Sequence, residues 1–158
     1  MQKMTTAEPI FHYNFTFMAV YFSAHEVKVG FKHRTRLKQF IQELFQREEQ
    51  GLSRLQYVFC TDEYLLHINE EFLNHDTYTD IVTFELSENP DVTEGEIYIS
   101  IDRVKENAEK YEVTENYELH RVIFHGALHL CGYKDKTKKD EELMRKKEDE
   151  YLQLYFQG

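Results

Sequence analysis

The feature that most constrains the fold is an apolar stretch, residues 115–131, that carries two histidines four positions apart. On a helix these positions lie about 40° apart around the axis, so His125 and His129 can reach a common point. Gly132 follows where a helix can end in a left-handed turn, and the chain can then return Asp135 to that point. Two histidines, one carboxylate and an open fourth position are typical of a catalytic zinc site. The spacing therefore predicts a metal held by these three residues.

The alternative is a metal-free helix whose histidines pack and form hydrogen bonds. The neighbouring Ile123, Phe124 and Leu128 indicate that the helix is largely buried. Two core histidines one turn apart with no shared partner would be unusual, because each must satisfy its ring nitrogens. Cys131 lies six residues past His125, about 240° around the helix. It is predicted to be a core residue rather than a ligand.

Zinc proteases of the metzincin class share this ligand spacing. They carry Glu directly after the first histidine, where it serves as general base. Here that position is Gly126, which cannot transfer a proton, so a protease is disfavoured. What remains is a metal that can lower the pKa of bound water and polarise a carbonyl or phosphoryl oxygen. The spacing alone predicts a hydrolytic type of metal site without defining its substrate.

The rest of the pattern predicts a small mixed β-sheet packed with several helices. Aromatic and β-branched residues predict strands at 19–23, 55–60, 81–86 and 95–101. Amphipathic stripes and capping residues predict the helices. The first spans residues 33–50. The second is capped by Thr61 or Asp62 and reaches Leu73, and the third spans 102–111. The fourth spans 115–131 after Thr114, and the last runs from Thr137 to about 152. This order predicts an α+β single domain with the metal site on a buried central helix.

A chain of 158 residues is expected to form one domain, here residues 18–153. Residues 1–17 fit no element and are interpreted as an N-terminal extension, and residues 154–158 resemble the remainder of a protease-cleavable tag. No signal peptide or membrane span is evident, and Cys60 and Cys131 lie in apolar runs without a CxxC motif. These features indicate a cytoplasmic protein with reduced thiols.

The formal charge of −10 argues against broad, non-specific binding to nucleic acid, which depends on neutralising many phosphates. Two stretches, Lys28–Lys38 and Lys134–Lys147, are nevertheless locally basic. Acidic residues interrupt the second stretch, which is typical of a solvated helix face. A local basic surface therefore stays open as an alternative.

Three stretches resemble the YbeY family of metal-dependent endoribonucleases, which act in ribosomal RNA maturation. The family signature HGxLHLxGYDH is similar to HGALHLCGY at residues 125–133. A family Asn followed by a Thr-Asp-(Val/Ile) strand is similar to Asn69 and TDIVTF at 79–84. A Gly-Asp-Ile strand is similar to GEIYIS at 95–100. The resemblance covers about residues 18–150 in the expected order.

The resemblance implies a cytoplasmic, zinc-dependent endoribonuclease of single-strand type that acts at the 3′ end of small-subunit ribosomal RNA. It implies one zinc ion, with ribosomal RNA and the small ribosomal subunit as partners and no membrane. Two other functions stay open: a ribosome-assembly binding factor with a structural metal, and a metallohydrolase of another substrate class.

Two positions depart from the family pattern. The usual third histidine is Asp135 here, a competent zinc ligand whose negative charge should reduce the Lewis acidity of the ion. The family tends to place Arg four residues after the Asn, where this chain has Leu73, so a phosphate contact is lost or supplied elsewhere. The loop that follows offers His75 and Asp76, which either line the cleft or are solvated.

Arg121 and Asp80 are the candidate catalytic residues. Arg121 lies four residues before His125 on the same helical face, where it could hold a phosphate or pair with a glutamate such as Glu118. Asp80 could orient a ligand histidine or cap its strand. His120 lies one position off this face and is predicted to be structural.

Overall fold

The structure is a computed structural model that describes residues 19–74 and 79–158. The proposed extension over residues 1–17 lies outside the described residues, as do His75 and Asp76 of the predicted loop. The described elements are, in chain order, β1 (Val20–Ala24), α1 (Arg34–Arg47), β2 (Gly51–Cys60), α2 (Asp62–Leu73), β3 (Ile81–Glu85), β4 (Val92–Ser100), α3 (Ile101–Lys110), α4 (Glu115–Leu130) and α5 (Lys138–Gln157).

The strands form one mixed sheet in the order β1-β2-β4-β3. β1 and β2 are parallel, as are β2 and β4, whereas β3 runs antiparallel to β4. This confirms the predicted α+β class with a small mixed sheet. β2 and β4 both begin earlier than predicted, because Gly51 and Leu52 pair with Val92 and Thr93. Local sequence gives little sign of these strand ends, since cross-strand hydrogen bonds between distant residues define them.

Helices cover both faces of the sheet, and the larger core lies on the face that α4 crosses. Tyr57 and Phe59 of β2 and Ile97 and Ile99 of β4 are buried there, together with side chains of α1, α4 and α5. A smaller cluster on the other face joins α2 to the sheet. The alternation of buried residues along β2 and β4 follows from the two-residue repeat of a strand. The predicted burial of the central helix is confirmed.

Threonine side chains begin three of the helices, as predicted for Thr114 and Thr137 and as one of the two alternatives for the second helix, Thr61. The hydroxyl oxygens of Thr61, Thr114 and Thr137 each accept a hydrogen bond from the backbone N–H three residues later. Each cap satisfies one of the amide groups that the first helical turn leaves without a partner. These caps also set where α4 and α5 begin, and therefore which residues of each helix face the core.

α5 is longer than predicted because its apolar stripe continues past residue 152. Tyr155 is only 4% exposed, and its ring contacts Phe40, Phe124 and His120. Burial among these rings lowers the pKa of His120, which has the structural position predicted for it. The tag origin of residues 154–158 stays a prediction. Neither α5 nor any other helix in the described ranges is long and apolar enough to cross a membrane.

Gly126 allows α4 to lie close to the sheet. A Cβ atom built at this position would meet Cδ1 of Ile81 at 2.8 Å and Cδ1 and Cγ2 of Ile97 at 3.0 Å. These separations are too short for carbon atoms, whose optimal distance is about 3.5–4.0 Å. Gly126, whose identity disfavours a protease, therefore also has a packing function, because it lets the helix lie close to the sheet beside His125.

Gly126→Val should lower the free energy of unfolding by about 2–3 kcal/mol, because the added side chain overpacks a rigid interface. Urea unfolding followed by circular dichroism would measure this. Gly30→Val is the matched control, since an added Cβ at Gly30 has no atom within 4 Å. Equal destabilisation by both variants would contradict the packing function of Gly126.

Candidate metal centre

α4 and the turn after it bring the three predicted ligands together. The rings of His125 and His129 lie on one face of the helix with centroids 4.4 Å apart. Gly132 then adopts a φ of 102°, in the left-handed region where a helix commonly ends. This turn returns the chain, so that one donor atom each from His125, His129 and Asp135 lies within 4.8 Å of the others. In the part of the chain that the structure describes, this is the one group of its kind.

The spacing of the donor atoms fits a zinc ion. Oδ2 of Asp135 lies 3.4 Å from Nε2 of His125 and 3.2 Å from Nε2 of His129. Two ligand atoms that are each about 2.0–2.1 Å from a tetrahedral zinc ion are about 3.3–3.4 Å apart. The carboxylate oxygen is thus separated from each imidazole nitrogen by about one edge of such a tetrahedron.

Partners at the other ring nitrogens orient both histidines. Nδ1 of His129 lies 2.9 Å from the carbonyl oxygen of Tyr133, and Nδ1 of His125 lies 3.2 Å from Oε1 of Glu148. A carbonyl and a carboxylate can only accept, so each Nδ1 carries the hydrogen and donates it. Each Nε2 faces Oδ2 of Asp135. A cation bound between the two nitrogens and this oxygen would have both imidazoles held in place from their other side, as metal sites require.

Glu148 belongs to a buried cluster of charged side chains. Nη1 of Arg121 donates to Glu148 at 2.6 Å, and Nε and Nη2 of Arg121 donate to the carboxylate of Glu118. Burial alone would raise the pKa of Glu148, but His125 and Arg121 hold it below its ordinary value. Burial opposes the charge of Arg121 too, and the two glutamates nevertheless raise the pKa of its guanidinium. The cluster thus keeps a charged carboxylate at His125.

The two candidate catalytic residues lie beside this cluster. Arg121 pairs with Glu118, which is one of the two alternatives for it, whereas its predicted phosphate contact stays a prediction. Oδ2 of Asp80 is 3.9 Å from Nη2 of Arg121, and its backbone carbonyl accepts from Ser100. Among the described residues, Glu148 is the carboxylate outside the ligand set that forms a hydrogen bond with a ligand histidine.

Sequence reasoning missed Glu148, because it lies 23 positions after His125 and on another helix. One signal could have found it. Its neighbours on the same face of α5 are buried and apolar, so a glutamate interrupts an otherwise apolar stripe: Met144, Glu148, Tyr151, Leu152, Tyr155. A buried carboxylate requires a charged or hydrogen-bonding partner, and such a position predicts a polar site within the core.

A second carboxylate anchors the turn that holds Asp135. The hydroxyl of Tyr133 donates to Glu48 at 2.7 Å, that of Tyr151 donates at 2.5 Å, and Nζ of Lys147 lies 3.2 Å away. Burial would raise the pKa of Glu48, but these three donors lower it. Because Tyr133 also supplies the carbonyl that accepts from His129, Glu48 ties the end of α1 to the geometry of the site.

Two of the three ligands, His125 and Asp135, line a cleft of about 560 Å³. Arg121 of α4 and several residues of α5 line it with them: Glu141, Glu142, Met144, Arg145 and Glu148. Leu73, at the end of α2, is 39% exposed and offers no charge. Cys131 packs against the core, as predicted, and burial raises the pKa of its thiol to about 12.

Comparisons with known proteins agree with one another. Residues 20–155 match the family model described as Endoribonuclease YbeY. A Cytophaga hutchinsonii protein named Endoribonuclease YbeY is 47% identical over 135 residues, which cover 85% of this chain and 94% of the relative. A Porphyromonas gingivalis protein of the same name is 46% identical over 131 residues, which cover 83% and 86%. The solution structure of TM1509 from Thermotoga maritima matches with a TM-score of 0.63 and 30% identity, covering 87% of this chain and 89% of that one.

Glu148→Gln should weaken zinc binding about 10–100-fold, because it removes the anionic acceptor that orients His125. Competition with a chromophoric chelator would measure the dissociation constant. Glu150→Gln is the matched control, since that side chain is 49% exposed on the same helix. An unchanged zinc affinity in Glu148→Gln would show that His125 does not need this partner.

Proposed function

The chain belongs to the YbeY family of endoribonucleases, and we propose on that basis that it is a zinc-dependent enzyme that cleaves phosphodiester bonds in single-stranded ribosomal RNA. The observation that carries the proposal is the convergence of two imidazole nitrogens and one carboxylate oxygen at the edge of a cleft. Three protein ligands with an open position are typical of catalytic rather than structural zinc. The substrate class rests on the names of the relatives.

Exposed lysines beside the site support a polyanionic substrate. Lys134 and Lys136 flank Asp135, and Lys138 and Lys139 follow at the start of α5. None of the four forms an ion pair within 4.0 Å with a residue in the described ranges. They form a local basic strip on a chain of net charge −10. We propose ribosomal RNA of the small ribosomal subunit as the partner and the cytoplasm as the place of action.

Each residue of the site has a proposed part in the reaction. His125, His129 and Asp135 would hold one zinc ion, which when bound lowers the pKa of water and polarises a phosphoryl oxygen. Glu148 and the carbonyl of Tyr133 hold the two imidazoles in the ligating tautomer. Arg121 would act as a positioning residue, because it holds Glu148 and thereby His125. Asp80 would act in the same way by holding Arg121.

Asp135→Ala should remove most of the bound zinc, whereas Asp135→His should keep about one ion per chain, because both Asp and His are zinc ligands. Elemental analysis after exhaustive dialysis would measure the zinc content. Asp149→Ala removes an exposed carboxylate from α5 and controls for general charge effects. Full zinc content in Asp135→Ala would exclude Asp135 from the ligands.

His129→Ala should lower cleavage of precursor ribosomal RNA about a hundredfold or more, with and without added zinc, because several kcal/mol of charge stabilisation are lost. Gel analysis of the products would measure the rate. His67→Ala is the control, since His67 is exposed on α2 and pairs with Glu71. Equal cleavage by His129→Ala and the unsubstituted protein would contradict the hydrolase and leave a ribosome-assembly binding role.

A further inference from the structure

We propose that Arg145 holds a phosphate of the RNA backbone beside the metal centre. This inference rests on the proposed function and concerns a residue that no motif singles out. It starts from the cleft, whose described lining contains two arginines, Arg121 and Arg145. Their surroundings differ, and that difference decides which one is available to a substrate.

The charge of Arg121 is already used within the protein. Its Nε and both terminal nitrogens donate to Glu118 and Glu148, and its side chain is only 12% exposed. A phosphate would have to displace a buried carboxylate from it, and an unpaired buried carboxylate is costly. Arg121 therefore holds the site together and is poorly placed to bind substrate directly.

Arg145 is exposed and forms no ion pair within 4.0 Å with any residue in the described ranges. Glu141 lies four positions earlier on α5, in the register that favours a helical Glu–Arg pair, yet no such pair forms. Glu148, three positions later, pairs with Arg121 and not with Arg145. The guanidinium thus lines the cleft without a close carboxylate to occupy its donors.

The charge balance of the cleft favours a phosphate contact at Arg145. Glu141 and Glu142 line the same cleft and repel an incoming phosphate, while Arg121 is offset by its two glutamates. Arg145 is the remaining permanent cation among the described lining residues. A guanidinium has a planar fork of donors that matches two phosphate oxygens, and it stays charged at any physiological pH. The geometry points to a phosphate next to His125 and Asp135 as its partner.

Three variants test the proposal. Arg145→Gln removes the charge, Arg145→Lys keeps the charge without the fork, and Lys146→Gln removes an equal charge from the next position of α5, which does not line the cleft. Binding of a short fluorescein-labelled single-stranded RNA would be measured by anisotropy at several salt concentrations, in EDTA to prevent cleavage. Cleavage by the zinc-loaded proteins, zinc content and melting temperature would be measured in parallel.

Arg145→Gln should weaken RNA binding about tenfold, as expected for loss of a charged hydrogen bond. It should reduce the slope of log affinity against log salt by about 0.7, which corresponds to one phosphate contact on a single strand. Arg145→Lys should keep the salt slope and recover only part of the affinity and cleavage. Lys146→Gln should stay within about twofold of the unsubstituted protein, because it loses charge without losing a contact.

Three results would overturn the proposal. Equal weakening by Arg145→Gln and Lys146→Gln would show a general charge effect, and lost zinc or a lower melting temperature with unchanged RNA affinity would show that Arg145 only balances Glu148. Absence of any RNA binding by the unsubstituted protein would overturn this inference together with the substrate class. RNA binding that depends on Arg145, without cleavage by the zinc-loaded protein, would contradict the proposed hydrolase and leave the phosphate contact intact.

Discussion

The packing of α4 against the sheet is the constraint on which the rest of the structure depends. Gly126 has no side chain, so the helix backbone lies directly on Ile81 and Ile97. Most of the helix is buried. The side chains of His125 and His129 are half-buried, and His125 lines the cleft. Because the core holds the helix in place, the two imidazoles are positioned by packing. A ligand set that is arranged in this way before metal binding loses less conformational entropy when the metal binds.

The buried charges around Glu148 are costly for the fold and useful for the site. Arg121, Glu118 and Glu148 must be removed from water, and an apolar cluster of the same volume would often be as stable or more stable. The pairing of these groups reduces the free-energy cost of removing them from water. It also fixes the carboxylate of Glu148 at Nδ1 of His125. Glu48 has a similar function at the turn, where the hydroxyls of Tyr133 and Tyr151 converge on it.

Local patterns predicted the parts of this structure that local physics controls. The caps at Thr114 and Thr137 and the left-handed Gly132 depend on residues a few positions away, and each agrees with its prediction. Longer-range features were harder to predict. The early starts of β2 and β4 depend on pairing across the sheet, and the length of α5 depends on the aromatic cluster around Tyr155.

The sequence by itself determined the order of elements, the α+β class, the family and the spacing of the three candidate ligands, because these follow from periodicity, capping and short motifs. Only the tertiary structure decided which carboxylate supports His125, which arginine is internally paired and which is available, and why position 126 must be glycine. The physical reason is the same in each case. Contacts between residues far apart in the chain depend on how α4, α5 and the sheet pack. That packing cannot be predicted from the spacing of residues within a short segment.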